Sequence, residues 1–362
     1  MENKATVSYE RERINEIRLF EAFSGIGAQH QALKNIGANY KVVGISEIDK
    51  YALKSYKAIH GDVRNFGDIS KIDTEQLKKL NMNLFTYSFP CQDISLAGHQ
   101  KGLDKGSNTR SSLLWECEKI IKDVRPKVLL MENVKNLVGK KNKPNFEKWL
   151  NLLGSYGYTN YWEVLNAKDY GIPQNRERVF VVSILGEHKS YIFPEKTELS
   201  KNLSDILEDK VTENFFLNSK QLSKIKFEMK EEKNRHGLVQ VGVYQRERRN
   251  NPDAYRVFNS NGLSPSLTTM QGGGRQPHVL IKNATKKGYK EATSGDIGVL
   301  DGYRVRKLTS LECWRLMGFG DEDFYKAEKV NSNSQLYKQA GNSIVVDVLE
   351  EIFKEIIKSI QK

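Results

Sequence analysis

Cysteine is scarce: the 362-residue chain holds three, Cys91, Cys117 and Cys313, an odd number with no CxxC spacing. That argues against a disulfide framework and against a structural zinc site, and reduced thiols are expected. Long apolar runs are missing too. Stretches such as Val128–Met131 are four residues long, far short of the roughly 20 that a membrane span needs, so no membrane helix is expected. The opening MENKATVSYERERINEIRLF carries charges throughout and has no apolar signal-type core. Neither secretion nor anchoring is indicated, and a cytoplasmic location is expected.

What is present is a globular composition. Hydrophobic residues make up 38% of the chain, enough for a sizeable core in two domains, or in one domain with a large insertion. The formal net charge is +12, from 57 basic against 45 acidic residues. Such an excess fits a polyanionic partner, but a solvated basic surface would look the same.

Short β-branched and apolar runs occur at Ile17–Phe23, Lys41–Glu47, Met82–Ser88, Lys127–Met131, Trp162–Asn166 and Arg178–Ile184. Helical patterns lie between them at Ala28–Ile36, Tyr51–His60, Leu113–Val124 and Phe146–Tyr156. This alternation predicts an α/β fold: an open, mostly parallel, Rossmann-like sheet with helices on both faces, binding its ligand beyond the carboxyl ends of the strands. After Ile184 the pattern breaks into charge runs, short Val-rich pieces and turn clusters. Residues 1–186 are therefore expected as an α/β domain, 187–299 as a smaller, irregular, partly β domain, and 300–362 as a segment returning to the first. That last segment ends in a helical stripe of Val345, Val348, Leu349, Ile352, Ile356 and Ile360.

The three cysteines differ in context. Cys117 shares helical spacing with Leu113, Leu114, Ile120, Ile121 and Val124, and Cys313 follows a Thr309/Glu312 capping-box pattern; both are expected to pack inside. Cys91 stands in YSFPCQ at a strand end beside Pro90, with no periodic apolar neighbours. Elsewhere, the first strand runs into Phe23-Ser24-Gly25-Ile26-Gly27-Ala28, a turn that lets a ligand approach the backbone or simply turns the chain. Glu47 ends the next strand, where an acid takes ribose hydroxyls, and Asp62 in Gly61-Asp62-Val63 could accept from an adenine amino group or sit on a surface turn. Glu132 closes the apolar strand KVLLM, an unfavourable place for a carboxylate without a partner. Arg176 and Arg178 alternate in QNRER and are expected on one face, whether to bind a ligand or to make a salt-bridged edge.

Taken in order, FSGIGA, FPCQ, ENV, QNRER, RKLTSLECWRLMGF and QAGNSIVV resemble the motifs of the DNA cytosine-5 methyltransferases over residues 17–184 and 303–357. The resemblance implies Cys91 as nucleophile, Glu132 holding the target base, and Arg176 and Arg178 orienting it. It implies S-adenosyl-L-methionine as cofactor, contacted by Phe23, Gly25, Gly27, Glu47, Ile48, Asp62, Val63, Pro90, Leu113 and Asn342. The chain departs from the family at Glu21, where Asp is usual, at Ala28, where a further Gly is common, and at Ile48, which replaces a frequent aromatic.

The activity so implied is methyl transfer to cytosine C5 in a specific sequence of double-stranded DNA, with the base flipped out of the helix, of the kind found in prokaryotic or phage restriction-modification. A companion restriction endonuclease for the same site is compatible with this. Gln92, Ser95 and Arg110 flank or belong to the glycine-bearing loop after Cys91 and are candidates for DNA contact. In the middle region Arg246, Arg248, Arg249, Arg256 and Arg275 are of the residue type that reads guanine or fixes phosphates. The family's Thr-aliphatic pair falls there on Ser266-Leu267 or on Leu267-Thr268. Three other readings stay open: an RNA cytosine-5 methyltransferase on the same scaffold, a binding module with a dead site, and an NAD-dependent dehydrogenase.

Overall fold

The computed structural model describes residues 14–90, 113–227, 237–244, 256–270, 275–282 and 302–360. Cys91, Gln92, Ser95, Arg110, Arg246, Arg248 and Arg249 lie outside the described residues.

The first seven strands are β1 (Ile17–Ala22), β2 (Tyr40–Ser46), β3 (Leu84–Tyr87), β4 (Val128–Val134), β5 (Tyr158–Asn166), the short β6 (Gln174–Asn175) and β7 (Glu177–Leu185). Six of them form one sheet in the order β2-β1-β3-β4-β7-β5. Pairing is parallel from β2 through β4, whereas β7 runs antiparallel to both its neighbours. The expected mostly parallel sheet is thus observed, with one reversed strand inserted beside β4.

Side-chain alternation splits the strands between two cores, one on each face. Leu19, Leu84, Leu130, Phe180 and Val182 join one cluster, while Phe20, Phe85, Leu129, Met131, Val179 and Val181 join the other. The first face is covered by α1 (Ala28–Asn35) and by a C-terminal helix, Val346–Ile360, whose Val348, Leu349, Ile352 and Ile356 are buried as their spacing predicted. The second is covered by the helices Leu114–Val124 and Lys143–Ser155 through Cys117, Ile120, Ile121, Phe146, Trp149 and Leu153. Cys117 and Cys313 are both buried free thiols.

A second sheet holds β8 (Ile225–Phe227), β9 (Gln240–Tyr244), β10 (Arg256–Asn259), β12 (His278–Lys282) and β13 (Tyr303–Lys307) in the order β13-β12-β10-β9-β8. Its own core is small: Leu217, Ile225, Val241, Val257, Leu280 and Val305. It takes in Tyr303–Lys307, which the sequence reading placed in the returning segment, because β13 pairs antiparallel with β12 along its whole length. The region after 186 is also tied down closely. Tyr191, Leu203, Ile206, Leu267 and Met270 belong to the core of the first sheet, and β11 (Ser264–Pro265) pairs with β6. Arg306 of β13 makes a bidentate ion pair with the buried Glu312 at 2.6 and 2.8 Å. Glu312 is also the acidic member of the expected Thr309/Glu312 capping box.

Glu21, fully buried on β1, makes a pH-sensitive joint under the glycine turn. Its carboxylate accepts from Tyr56 Oη at 2.7 Å and from the His30 N–H at 3.2 Å. Burial outweighs both bonds and pushes its pKa from the ordinary 4.5 up to about 7. The folded state therefore holds this proton more tightly than the unfolded chain. The associated stability is complete below pH 4.5 and is lost as pH rises to about 7, a difference of at most about 3 kcal/mol. Half-buried His30 and His60, lowered to about 4 and about 3 mainly by desolvation, act in the opposite sense at acid pH, so the comparison with Glu21→Gln isolates the carboxyl. Urea unfolding at pH 5 and pH 8 is expected to show a larger loss for the wild type than for Glu21→Gln. Equal losses would remove Glu21 as the titrating group.

Candidate active site

Parallel register builds the site. Ala22 stands opposite Ser46 and Tyr87, and Tyr87 opposite Met131. The next residue on each strand, namely Phe23, Glu47, Ser88 and Glu132, therefore falls in one row along the carboxyl edge of the sheet. Because β7 is reversed, it enters from that same edge, with Arg178 opposite Val134 and Phe180 opposite Glu132. A cleft of about 650 Å³ lies over this row, within the roughly 300–1,000 Å³ usual for small-molecule sites.

Glu132 is 8% exposed, and its Oε1 is 3.2 Å from Arg178 Nε. Burial raises its pKa, while Arg178, Arg176 and a hydrogen bond from Ser88 pull the other way without reversing it. A carboxyl group so held can carry a proton while its cation keeps it oriented. Beside it, Asn133 donates through Nδ2 to the carbonyl of Phe89 at 2.9 Å. That bond ties the end of β4 to the stretch leading into Pro90, the last described residue before Cys91.

The two arginines both line the cleft, as expected, but bind different partners. β6 ends at Asn175 and β7 begins at Glu177, so the chain bends at Arg176. Its guanidinium, 4% exposed, donates to the carbonyls of Leu267 at 2.9 Å, Gly341 at 3.1 Å and Ser343 at 2.7 Å. Arg178 faces the carboxylate, and Arg176 holds backbone.

Toward the other end of the cleft, Gly25 has φ of +56° and donates its N–H to Glu47 Oε2 at 2.9 Å, while Glu47 Oε1 accepts from the N–H groups of Ile48 and Asp49. Asp49 caps the helix Lys50–His60 and pairs with Lys338 at 2.6 Å. Lys338 lies in the helix Asn333–Asn342, which closes the cleft with Gly341, Asn342 and Ser343. Phe23, Gly25, Glu47, Ile48, Pro90, Leu113 and Asn342 all line the cleft, as does the Glu132/Arg176/Arg178 group.

Three expected cofactor residues are elsewhere. Gly27 stands behind the turn with φ of +82°, and a β-carbon there would come within 2.6 Å of the His60 ring; tight packing requires this glycine. Asp62 and Val63 do not line the cleft, and Asp62 pairs at the surface with Lys57. Their place is taken by Gly67, Asp68 and Ile69, a second Gly-Asp-aliphatic triplet six positions on. The signal was in the sequence twice, and the sequence reading took the first copy. Asp49, Lys338 and Gly341 were missed too. A lysine and a glycine within QAGNS and its approach carry no motif of their own.

In the second sheet, Arg256 is half-buried, its guanidinium carbon 5.6 Å from the Phe258 ring centre, and Arg275 is exposed. Among the described residues no helix is long and apolar enough to cross a membrane.

Comparison with known proteins gives one answer. The model of the C-5 cytosine-specific DNA methylases matches residues 17–358. The type II methyltransferase M2.ScrFI of Lactococcus lactis subsp. cremoris is 39% identical, with 95% of this chain and 99% of that protein covered. The type II methyltransferase M.HhaI of Haemophilus parahaemolyticus is 30% identical, with 96% of each covered. The orphan methyltransferase M.SPBetaI of Bacillus phage SPbeta is 32% identical, with 95% and 98% covered. Among solved structures, the Entamoeba histolytica methyltransferase EhMeth superposes with a TM-score of 0.70 at 20% identity, over 95% of this chain and 99% of that one, which bears on the fold. The row of Phe23, Glu47, Ser88 and Glu132, the reversed strand that delivers Arg178, and these full-length matches agree: the chain belongs to the C-5 cytosine-specific DNA methylases.

Proposed function

We infer that the protein methylates cytosine at C5 within a specific sequence of double-stranded DNA. The observation that carries the reading is the buried Glu132, its pKa raised by burial, paired with Arg178 on the same sheet edge as Glu47 and the approach to Cys91. An RNA substrate is not favoured, since the family whose model matches residues 17–358 is that of DNA methylases. Neither a dead binding module nor a dehydrogenase accounts for this constellation.

The cleft fits S-adenosyl-L-methionine by its donor set. Glu47 suits a ribose diol, Asp68 suits an adenine amino group, and Ile48, 76% exposed at the lip, offers an apolar surface for a base to cover. When bound, S-adenosyl-L-methionine supplies an electrophilic methyl group. On the protein side, cytosine C5 is too weak a nucleophile until a group adds at C6. The thiolate of Cys91 forms an S–C6 bond as Glu132 donates its proton toward N3. That addition leaves an electron pair on C5, the nucleophile that the bound cofactor's methyl group would meet as its bond to the sulfonium sulfur broke. Release would then require a base to take the C5 proton, the S–C6 bond to break with its electrons returning to the Cys91 sulfur, and the N3 proton to pass back to Glu132. Arg178 keeps Glu132 aimed, and its charge favours electron density moving toward that edge of the ring. The target cytosine reaches these groups only when flipped out of the duplex.

Residues 1–186 and the returning C-terminal segment hold the chemistry, and the intervening region with its second sheet chooses the DNA sequence. Gln92, Ser95, Arg110, Arg246, Arg248, Arg249, Arg256 and Arg275 are its proposed DNA contacts. The enzyme acts in the cytoplasm of a bacterium or a phage-infected cell, with or without a companion endonuclease. Bisulfite sequencing of DNA from expressing cells tests the reading directly: 5-methylcytosine at one recurrent sequence supports it, and none above background rejects it.

Asp68 and Asp62 separate on S-adenosyl-L-methionine. Asp68→Ala is expected to raise its KM by about tenfold, the loss of one hydrogen bond to a charged acceptor, whereas Asp62→Ala leaves it unchanged. Steady-state methylation with saturating DNA measures both. The reverse order would restore Asp62.

A further inference from the structure

The strand end that carries Arg176 also grips the segment Ser264–Met270, and it does so through a side chain the chemistry does not use. Gln174 is fully buried on β6. Its Oε1 accepts the backbone N–H of Leu267 at 3.0 Å, and its Nε2 donates to the carbonyl of Leu316 at 2.8 Å. Arg176 takes the carbonyl of the same Leu267 at 2.9 Å. Both backbone polar groups of Leu267 are therefore bound by the β6–β7 junction, and its side chain is 2% exposed in the main core. One step earlier the chain is held by Ser264 and Pro265 pairing with Gln174 and Asn175, and by the Ser264 N–H on the Pro173 carbonyl at 2.8 Å. One step later Thr268 packs its carbonyl onto Gly341 so closely that a β-carbon there would lie 2.0 Å away. Leu267 is thus a fixed point, with half-buried Ser266 before it and exposed Thr268 after it.

We propose that Gln174 is a positioning residue that sets the frame of DNA reading, by fixing Leu267 at a constant distance from the Glu132–Arg178 base pocket, so that Ser266, Thr268 and Thr269 meet the DNA in one register relative to the flipped cytosine. The proposal rests on the reading of the protein as a sequence-specific DNA methylase. It places the Thr-aliphatic position of the family on Ser266-Leu267, since Leu267 is the residue that is buried and bound. Glutamine is suited to the task because one planar amide both accepts from Leu267 and donates to Leu316. An ionised glutamate keeps the first bond and loses the second, and a protonated glutamate regains both.

The test is a library of randomised duplexes, methylated by wild type, Gln174→Leu and Gln174→Glu and read by bisulfite sequencing at pH 6 and pH 8. Wild type is expected to keep one preferred sequence at both pH values. Gln174→Leu should lose about tenfold of its preference over single-mismatch sites at both, the scale of one buried hydrogen bond, while its KM for S-adenosyl-L-methionine stays within twofold. Gln174→Glu should recover preference at pH 6, where its buried carboxyl holds a proton, and lose it at pH 8. A uniform fall in turnover with preference intact, or no pH dependence in Gln174→Glu, overturns the proposal. Absence of 5-methylcytosine with wild type would instead sink the DNA-methylase reading. If neither variant folds, hydrogen exchange on the wild type decides: the Leu267 amide must be protected without DNA, and rapid exchange there overturns the assignment.

Discussion

Glu132→Gln is expected to bind S-adenosyl-L-methionine within a few-fold of wild type and to lose methyl transfer by about 10²–10⁴-fold, the usual worth of a general acid. Glutamine keeps the size of the side chain and can still donate a hydrogen bond, but it has no proton to release, and it gives Arg178 a neutral partner in place of a carboxylate. The pH profile carries the same information. In the proposed role Glu132 acts in its protonated form, and burial raises its pKa. Activity should therefore fall as pH rises through that elevated value, on the opposite limb from the one set by ionisation of the Cys91 thiol. In Glu132→Gln the alkaline limb should vanish along with most of the rate. Single-turnover methylation across pH would show it, and near-normal turnover in the variant would take Glu132 out of the mechanism.

Cys91→Ala should abolish turnover altogether, because without addition at C6 the ring carbon is not nucleophilic enough for any other group to compensate. The sharper readout is covalent. Duplex DNA carrying 5-fluorocytosine at the target should form an adduct stable to denaturing electrophoresis with wild type, since fluorine at C5 cannot depart as a proton does. Cys91→Ala should form none. An adduct of equal yield from the alanine variant would assign the bond to another residue.

The sheet was legible because its central strands are buried on both faces and read as short apolar runs, and because helices with a clear 3.6-residue stripe separate them. Only its reversed strand could not be foreseen: Arg178–Ile184 has the same composition in either direction. The acids at strand ends were legible for a related reason, since Glu47 and Glu132 interrupt runs that otherwise bury everything. Asp68 was not. Gly61-Asp62-Val63 and Gly67-Asp68-Ile69 are alike locally, even to a left-handed glycine in each, with φ of +85° and +72°. What separates them is tertiary: Asn65 bridges Ile45 of β2, and Arg64 and Phe66 bond the backbone of the same residue. That brief pairing carries the second triplet to the cleft edge and leaves the first outside. The backbone partners of Arg176 were hidden in the same way. Period-two alternation holds within a strand, and the strand is broken at that residue.

Lys338 reaches across 289 positions of sequence to Asp49, and Gly341, Asn342 and Ser343 close a cleft whose other walls come from the first half of the chain. For a ribosome this has a temporal meaning. A nascent chain can complete β1 to β7 and still lack a wall of the cofactor cleft and the carbonyls that Arg176 must bind, so it emerges inert and stays so until residues near 344 are made. Messages cut short upstream of that point are therefore expected to yield no partially active methylase.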